Sequence, residues 1–262
     1  VTAGIFMVSR MSPLFELSEM ALSFVLCIGA TTALFMGFLG IVNNDIKRVV
    51  AYSTLSQLGY MTVALGVSAY AGAIFHLMTH AFFKALLFLA AGSVIIAMHH
   101  EQDMRKMGGL KKYLPITYWT SLIGSLALIG FPGFAGFFSK DALIEAVAES
   151  RIPGAGYAYF CVIVGVFVTA FYSFRLVFLT FHGEERFGHE GHDEHGHDDH
   201  AHDDHGHGHG GPPHESPWVV TLPLILLAIP SILIGWPTIG PLLFGDYFGG
   251  AIHVAEAHDV LG

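Results

Sequence analysis

The fold is decided by residues 69–98, which read AYAGAIFHLMTHAFFKALLFLAAGSVIIAM. Three ionisable side chains interrupt this apolar run, His76, His80 and Lys84, and they stand four residues apart. In an α-helix this spacing places them along one face, at steps of about 6 Å along the axis. Lys84 lies about 20 Å from either end of such a helix, farther than its side chain can reach. We therefore expect a membrane-spanning helix whose ionisable residues, here called the ladder, find partners or water inside the protein.

The composition extends this interpretation to the whole chain. The 262 residues are 53% hydrophobic and 13% charged, with a mean hydropathy of +0.58, which is typical of a polytopic membrane protein. The formal net charge is −9, but residues 182–215 hold ten carboxylates and one arginine, so the remainder is neutral. The acidity belongs to one loop, and we expect no nucleic-acid partner. Both cysteines lie in apolar segments, which excludes a disulfide framework.

Other segments are long enough to span, and one of them is interrupted. Residues 49–67 carry many hydroxyl and amide groups, so this segment is expected to face other helices rather than lipid. Residues 117–149 are too long for one ordinary crossing and contain GFPGFAG at 130–136, which predicts two half-helices with an unwound joint at membrane depth. The predicted fold class is all-α, a polytopic transmembrane helical bundle with one discontinuous helix.

The predicted organisation has three parts. They are a transmembrane bundle at 1–181, a His/Asp-rich disordered loop at 182–217, and a C-terminal transmembrane helix with a short tail at 218–262. Within the last part, residues 218–236 form the predicted span and 251–261 a short amphipathic helix. If the interrupted segment is one crossing, most basic loop residues share one side and only Arg10 and Arg151 fall opposite. The positive-inside rule then places the basic loops and the His-rich loop in the cytoplasm.

The ladder is the candidate site, together with Lys140 beside the helix break. Histidine titrates near neutral pH, and burial destabilises a charged lysine, so His76, His80, Lys84 and Lys140 can form a proton relay in which water bridges the steps. The alternative is that buried residues satisfied by neighbouring helices only fix packing. For Lys140 and Asp141 we expect a gating pair, against the alternative of a salt bridge that caps the second half-helix.

Two further groups of residues have competing interpretations. Lys47 and Arg48 lie at a predicted boundary, where they are candidate relay residues or simple topological anchors. The acidic loop repeats HDEHG, HDDHA, HDDHG and HGHGG, and its histidines are expected to bind Zn²⁺ or Ni²⁺ weakly, without a fixed geometry. Those histidines are His195, His197, His200, His202, His205 and His207. Proton buffering or sequence drift are the alternatives for this loop. We find no flavin, nicotinamide, haem or iron–sulfur motif, so no bound cofactor is expected.

Three strings carry a resemblance to a known family. NNDIKRVVAYSTLSQLGYM (43–61), HLMTHAFFKALLFLAAGSV (76–94) and GFPGFAGFFSKDALI (130–144) resemble the antiporter-like membrane subunits of respiratory complex I, the proton-translocating NADH-quinone oxidoreductase. Mrp-type Na⁺/H⁺ antiporters are similar as well. The resemblance implies an antiporter-like repeat in which the ladder is the central hydrophilic axis. It also implies that Lys140 is the lysine of the second broken helix, and it places Asp141 and Lys47 on matching motif positions.

The same resemblance implies a function and a setting. We expect proton translocation driven by quinone reduction elsewhere in a complex in the bacterial inner membrane. The implied partners are the other membrane subunits and lipid, with no direct contact to NADH. We also expect a piece of a longer protein, with another repeat before Val1 and a lateral helix after Gly262. The alternatives are the large subunit of a Mrp-type antiporter and a metal carrier with a His-rich loop.

Overall fold

Helices alone make up the regular structure of residues 2–187 and 212–260, the part of the chain that this computed structural model describes. In chain order the α-helices are α1 Ala3–Arg10, α2 Ser12–Phe15, α3 Glu19–Val42, α4 Ile46–Gly66, α5 Tyr70–Ala97, α6 Pro115–Ile129, α7 Ala135–Glu149, α8 Ala155–Phe181, α9 Trp218–Leu233 and α10 Gly235–Ile239. A π-helical turn, Gly240–Phe244, follows α10. The all-α prediction is confirmed. Residues 195–207, with the metal-binding prediction, lie outside the described ranges.

Three of the described helices are long and apolar enough to cross a membrane, namely α3, α5 and α8. A fourth candidate is the pair Trp218–Leu233 and Gly235–Phe244, which is bent by 48°. The helix α4 has 21 residues but carries many polar side chains, and most of its residues are buried by its neighbours. The halves α6 and α7 have 15 residues each, so neither spans alone.

Close packing of α4 on α3 depends on glycine. A Cβ atom at Gly29 would lie 2.8 Å from the backbone nitrogen of Val63, and one at Gly59 would collide with the backbone of Ala33. Small residues let membrane helices approach this closely, which replaces the hydrophobic driving force that lipid does not provide. The pair forms a tightly packed support for α5, on which the ladder lies.

The chain passes between two ends of the bundle. At one end, which we call the basic end, the Ile46 amide donates to the Gln102 carbonyl at 3.0 Å and the Gly109 amide donates to the His182 carbonyl at 3.3 Å. The basic end therefore gathers residues 43–47, 99–115 and 182–187. At the opposite end, the far end, the Ser23 hydroxyl donates to the carbonyl of Pro153, which follows α7. Since α6 begins at the basic end and α7 finishes at the far end, the two halves together make one crossing.

The break between α6 and α7 lies near the middle of this crossing. Gly130 ends α6 with φ of 79°, a left-handed conformation that glycine adopts without strain, and Phe134 precedes α7 in an extended conformation. Gly136 lies directly against the carbonyl of Ala127, where a Cβ atom would not fit. The two halves are therefore in contact across an unwound joint.

A second bend lies beside the first. The predicted span 218–236 is not one straight helix, because α9 ends at Leu233 and the chain turns before α10. The Trp236 indole N–H donates to the Gly133 carbonyl at 3.1 Å, so this bend satisfies a carbonyl in the joint of the other helix. Lipid offers no such partner, so this contact favours the arrangement in which the two interrupted helices lie side by side.

The predicted amphipathic helix at 251–261 is wrong over its described residues. After a short 3-10 turn at Gly249–Ala251, residues 252–260 contain no helix. This segment instead packs on the far end, where Ile252 and Val254 join the core cluster around α3 and α4. Tertiary contacts therefore override the weak helical pattern of the tail.

Candidate functional site

The ladder and Lys140 meet in the interior of the bundle, between α4, α5 and α7. His76 is fully buried, and His80, Lys84 and Lys140 are 4%, 4% and 3% exposed. The rings of His76 and His80 lie 6.1 Å apart between centroids, close to the step expected from the spacing. The structure thus brings together four of the six predicted site residues.

His76 is held at both ring nitrogens. Its Nδ1 is 2.9 Å from the Ser139 hydroxyl on α7, and its Nε2 is 3.1 Å from Oε1 of Gln57 on α4. The Ser139 hydroxyl is also 2.9 Å from that of Thr79. A neutral imidazole has one donor and one acceptor nitrogen, and both are used here. Because the Gln57 amide oxygen only accepts, Nε2 carries the hydrogen and Nδ1 accepts from Ser139 in the neutral ring, so Nδ1 is the nitrogen that can take up and release a further proton.

His80 differs from His76 in having an unused nitrogen. Its Nε2 is buried without a hydrogen-bond partner in residues 2–187 and 212–260, and the same is true of Nε2 of Gln57. A buried polar atom without a partner is costly, and internal water commonly satisfies such atoms. These two atoms are therefore the positions along the ladder where an internal water would gain hydrogen bonds.

Lys84 is surrounded by neutral oxygens. Its Nζ donates to the Ser53 hydroxyl at 2.5 Å and lies 3.5 Å from the Val50 carbonyl. Within the described residues, no carboxylate forms an ion pair with this amine. Hydroxyl and carbonyl oxygens solvate an ammonium group but do not hold its charge as a carboxylate does. The site can therefore accommodate both the charged and the neutral amine.

Lys140 uses the helix break directly. Its Nζ donates to the Leu128 carbonyl at 2.8 Å and lies 5.1 Å from the centroid of the Tyr60 ring. Leu128 belongs to the last turn of α6, where the backbone amides of Gly130 and Phe131 donate to the carbonyls of Ala127 and Leu126. The Leu128 carbonyl is therefore left to accept from the Lys140 amine. The negative end of the α6 dipole adds to the attraction for a cation. The break thus creates a binding place for the amine.

The other two predicted site residues do not join this group. Asp141 is exposed and forms no described ion pair with Lys140. Consecutive helical residues project about 100° apart, which explains why the two side chains do not meet in this structure. The gating role of the pair stays a prediction. Lys47 is exposed in the first turn of α4 at the basic end, a location that agrees with an anchor rather than with a buried relay.

Several polar residues of the site were not predicted as site residues. Ser53 and Gln57 contact the ladder from α4, and Ser139 contacts it from α7. The hydroxyl of Tyr172 on α8 contacts the hydroxyl of Ser53. The polar content of segment 49–67 was a usable signal for Ser53 and Gln57, and proximity to Lys140 was a weak one for Ser139. Nothing in the sequence distinguishes Tyr172, because its role depends on how α8 packs on α4.

The Arg175 side chain lies at the basic end, where it contacts residues that follow α3. The Arg175 guanidinium donates to the Asn43 carbonyl at 2.7 Å and to Oδ1 of Asn44 at 2.5 Å, so it ties α8 to the end of α3. In the described ranges, no group of three or more His, Cys, Asp or Glu side chains could hold a metal ion.

The fold and the site define a class: polytopic helical membrane proteins with a discontinuous helix and a buried line of ionisable side chains. Residues 1–171 match the model of the family described as NADH:quinone oxidoreductase/Mrp antiporter, transmembrane part. The chain belongs to this family, and the resemblance drawn from its motifs is confirmed.

Known relatives agree with this assignment. The chain is 65% identical to NADH-quinone oxidoreductase subunit L of Neisseria meningitidis over 268 residues, covering 100% of this chain and 39% of the relative. It is 52% identical to subunit L of Rhodobacter capsulatus, covering 90% of this chain and 32% of that protein. It is also 49% identical to NADH-ubiquinone oxidoreductase chain 5 of Marchantia polymorpha, covering 90% of this chain and 33% of that protein. The chain thus spans between about a third and two fifths of the length of these relatives.

A solved structure supports the fold. The Mrp complex from Dietzia sp. DQ12-45-1b contains a chain that matches with a TM-score of 0.69 at 20% identity, covering 93% of this chain and 50% of that one. At this identity the match shows a shared fold. The antiporter-like bundle with its discontinuous helix is therefore confirmed.

Proposed function

We propose that this chain translocates protons across a membrane as part of a subunit of NADH-quinone oxidoreductase. The observation that carries the proposal is the buried line of Lys84, His80, His76 and Lys140, in which neither amine has a carboxylate partner among the described residues. Burying such groups is costly, and inside a membrane they commonly mark ion and proton pathways. The identity to proteins named as subunit L supports this complex over others.

The contacts suggest an order for the transfer. A proton held by the Lys84 amine passes to His80, its neighbour one turn away on α5, and then to the His76 ring at a centroid distance of 6.1 Å. From Nδ1 of His76 it passes to the Ser139 hydroxyl on α7. Lys140 is the proposed next acceptor, reached through water because adjacent helical side chains project in different directions. Each group takes up one proton and gives up one, so the line returns to its starting state after every passage.

The setting is also part of the proposal. We infer that the basic end faces the cytoplasm of a bacterium, because the basic loop residues gather there and cytoplasmic loops carry an excess of Lys and Arg. Large aromatic side chains such as Phe24, Phe35, Phe167 and Phe171 are exposed on the helices of the bundle. They suit contact with lipid or with other membrane subunits of the complex. Quinone reduction and NADH binding are assigned to other subunits.

The proposal is tested by Lys84→Met in the full-length parent protein, within its purified complex in proteoliposomes. Methionine keeps the length and apolar character of the side chain but cannot carry a proton. We expect fewer protons to be pumped per NADH oxidised. The control is Lys111→Met, because Lys111 is exposed and lies over the Tyr118 ring at the basic end. An unchanged pumping ratio in Lys84→Met would overturn the relay.

A Mrp-type Na⁺/H⁺ antiporter is the second candidate, since the family model covers both kinds of protein and the matched structure is a Mrp complex. Gentle purification of the parent from its own membranes separates the two. Co-purifying NADH:quinone reductase activity supports the first proposal. A preparation that lacks this activity and shows Na⁺-dependent proton flux in vesicles supports the second.

A further inference from the structure

Lys84 has a second set of polar neighbours, on α4 and α8, that the route toward Lys140 does not use. Its amine donates to the Ser53 hydroxyl at 2.5 Å, and the Ser53 oxygen is 2.8 Å from the hydroxyl oxygen of Tyr172. Ser53 and Tyr172 are each 1% exposed. An unbroken hydrogen-bonded chain therefore runs from the ladder to α8.

A small cavity, lined by both polar and apolar side chains, adjoins this chain. Its volume is about 10 Å³, which is close to the space that one water molecule needs. Its lining includes Lys84, Ser125 and Ser173. The Ser173 hydroxyl is buried and has no hydrogen-bond partner in the part of the chain that the structure describes. The cavity therefore has the volume for one water beside Tyr172, and the Ser173 hydroxyl is a buried polar group that such a water could satisfy.

The cavity lies close to the basic end. Tyr172 is three residues from Arg175, about 4.5 Å along α8, and Arg175 contacts the loop after α3 through Asn43 and Asn44. Val49 and Leu176 line the same cavity, and both are buried. Val49 lies in the first turn of α4 and Leu176 directly follows Arg175, so these two apolar side chains belong to the part of the cavity wall nearest the basic end.

We infer that Ser53 and Tyr172 form a side branch of the relay, which connects Lys84 with the basic end, and that Val49 and Leu176 close it. The inference rests on the proposed function and adds a route by which protons enter the relay. A proton that reaches the cavity binds to the Tyr172 hydroxyl, which passes its own proton to Ser53. Ser53 in turn passes its proton to the neutral amine of Lys84. Both hydroxyls keep one proton throughout, and the amine gains one.

Tyr172→Phe is the direct test, because it removes only the hydroxyl. In the reconstituted complex with the full-length parent, we expect this variant to lose most of the proton pumping that Lys84→Met loses. Tyr157→Phe is the matched control, since Tyr157 lies on the same helix and its hydroxyl contacts exposed Thr31 at 2.9 Å instead of the ladder. Pumping by Tyr172→Phe at the level of Tyr157→Phe would overturn the branch.

A pair of substitutions at Ser53 separates proton transfer from packing. Ser53→Ala removes the hydroxyl and is expected to reduce pumping as Tyr172→Phe does, whereas Ser53→Thr keeps the hydroxyl and is expected to restore it. Equal pumping by the alanine and threonine variants would contradict a transfer role. This pair also decides the matter if Tyr172→Phe does not assemble into the complex.

Lys84→Met distinguishes failure of the branch from failure of the relay. If Lys84→Met loses pumping while Tyr172→Phe and Ser53→Ala do not, only the branch is wrong. If Lys84→Met itself pumps normally, the proposed function is wrong and the branch fails with it.

Discussion

At Lys140, substitutions can distinguish two properties of the side chain, its positive charge and its transferable proton. The amine donates to the Leu128 carbonyl at 2.8 Å, and this contact would serve equally well if Lys140 only capped the broken helix. Arginine keeps the positive charge and the donors but does not release its proton in proteins. We expect Lys140→Arg to block pumping about as strongly as Lys140→Met. The measurement is the number of protons pumped per NADH oxidised by each variant in proteoliposomes. Normal pumping by Lys140→Arg would mean that Lys140 only caps the broken helix.

Single residues also show what sequence spacing can and cannot predict. The positions of His76, His80 and Lys84 on one buried face followed from their four-residue spacing, because helical geometry fixes neighbours within one helix. The contact between Lys84 and Ser53 joins two helices, and no spacing encodes it. The absence of an ion pair between Lys140 and Asp141 has a related reason, since adjacency in sequence places side chains on different faces of a helix.

At the scale of elements, the joint between α6 and α7 depends on the absence of a side chain at Gly136. A Cβ atom there would meet the Ala127 carbonyl, so Gly136→Ala has to push the two halves apart. Overpacking of this kind costs about 1–3 kcal/mol. We expect a lower thermal unfolding temperature of the detergent-solubilised parent. Gly92→Ala is the control, because Gly92 lies within α5 and has nothing within 4 Å of its Cβ position.

The outcome expected of that control is the opposite one. Alanine at Gly92 reduces the freedom of the unfolded chain, which stabilises a helix by about 0.4–1 kcal/mol. If both variants shifted the unfolding temperature alike, Gly136 would not be needed for tight contact between α6 and α7.

The two interrupted helices differ in how far their sequences reveal them. The GFPGFAG string predicts its own joint, because Pro and Gly weaken the helix at that position. The bend between α9 and α10 follows Pro230 by one turn, and just after it Trp236 donates to the Gly133 carbonyl. The prolines at 223 and 230 both weaken α9, so the sequence does not indicate at which point it bends.

Across the whole molecule, the tail at 251–258 contacts residues 10–16, which run from the end of α1 through α2. Arg10 donates to the Ala251 carbonyl at 2.8 Å, and the His253 amide donates to the Ser12 hydroxyl at 2.9 Å. Glu16, whose side chain is 3% exposed, accepts from the ring of His258 at 2.9 Å. These contacts join residues more than 200 positions apart in sequence, so no local pattern announces them.

Because of this tail contact, the stability of the far end depends on pH. Burial raises the pKa of the Glu16 carboxyl, but hydrogen bonds, among them those from His258, Tyr70 and Ala255, outweigh burial and hold this pKa below its usual 4.5. The folded state therefore favours the carboxylate. The stabilisation is complete above about pH 4.5 and is lost as the pH falls below that value through the pKa of the folded state.

Glu16→Gln tests this dependence, because it keeps the shape of the side chain and removes its charge. Hydrogen bonds to charged groups contribute about 1.5–3 kcal/mol each, so we expect the variant to unfold at a lower temperature at neutral pH. Between pH 6 and pH 3, chosen as roughly one and a half units on either side of the usual carboxyl pKa, wild type should lose stability relative to the variant. Glu19→Gln is the control, since Glu19 is 68% exposed and lies 3.7 Å from Nε2 of His258. If wild type and Glu16→Gln follow parallel pH profiles, the Glu16 charge does not hold the tail, and apolar packing of Ile252 and Val254 on the core is the stronger contribution.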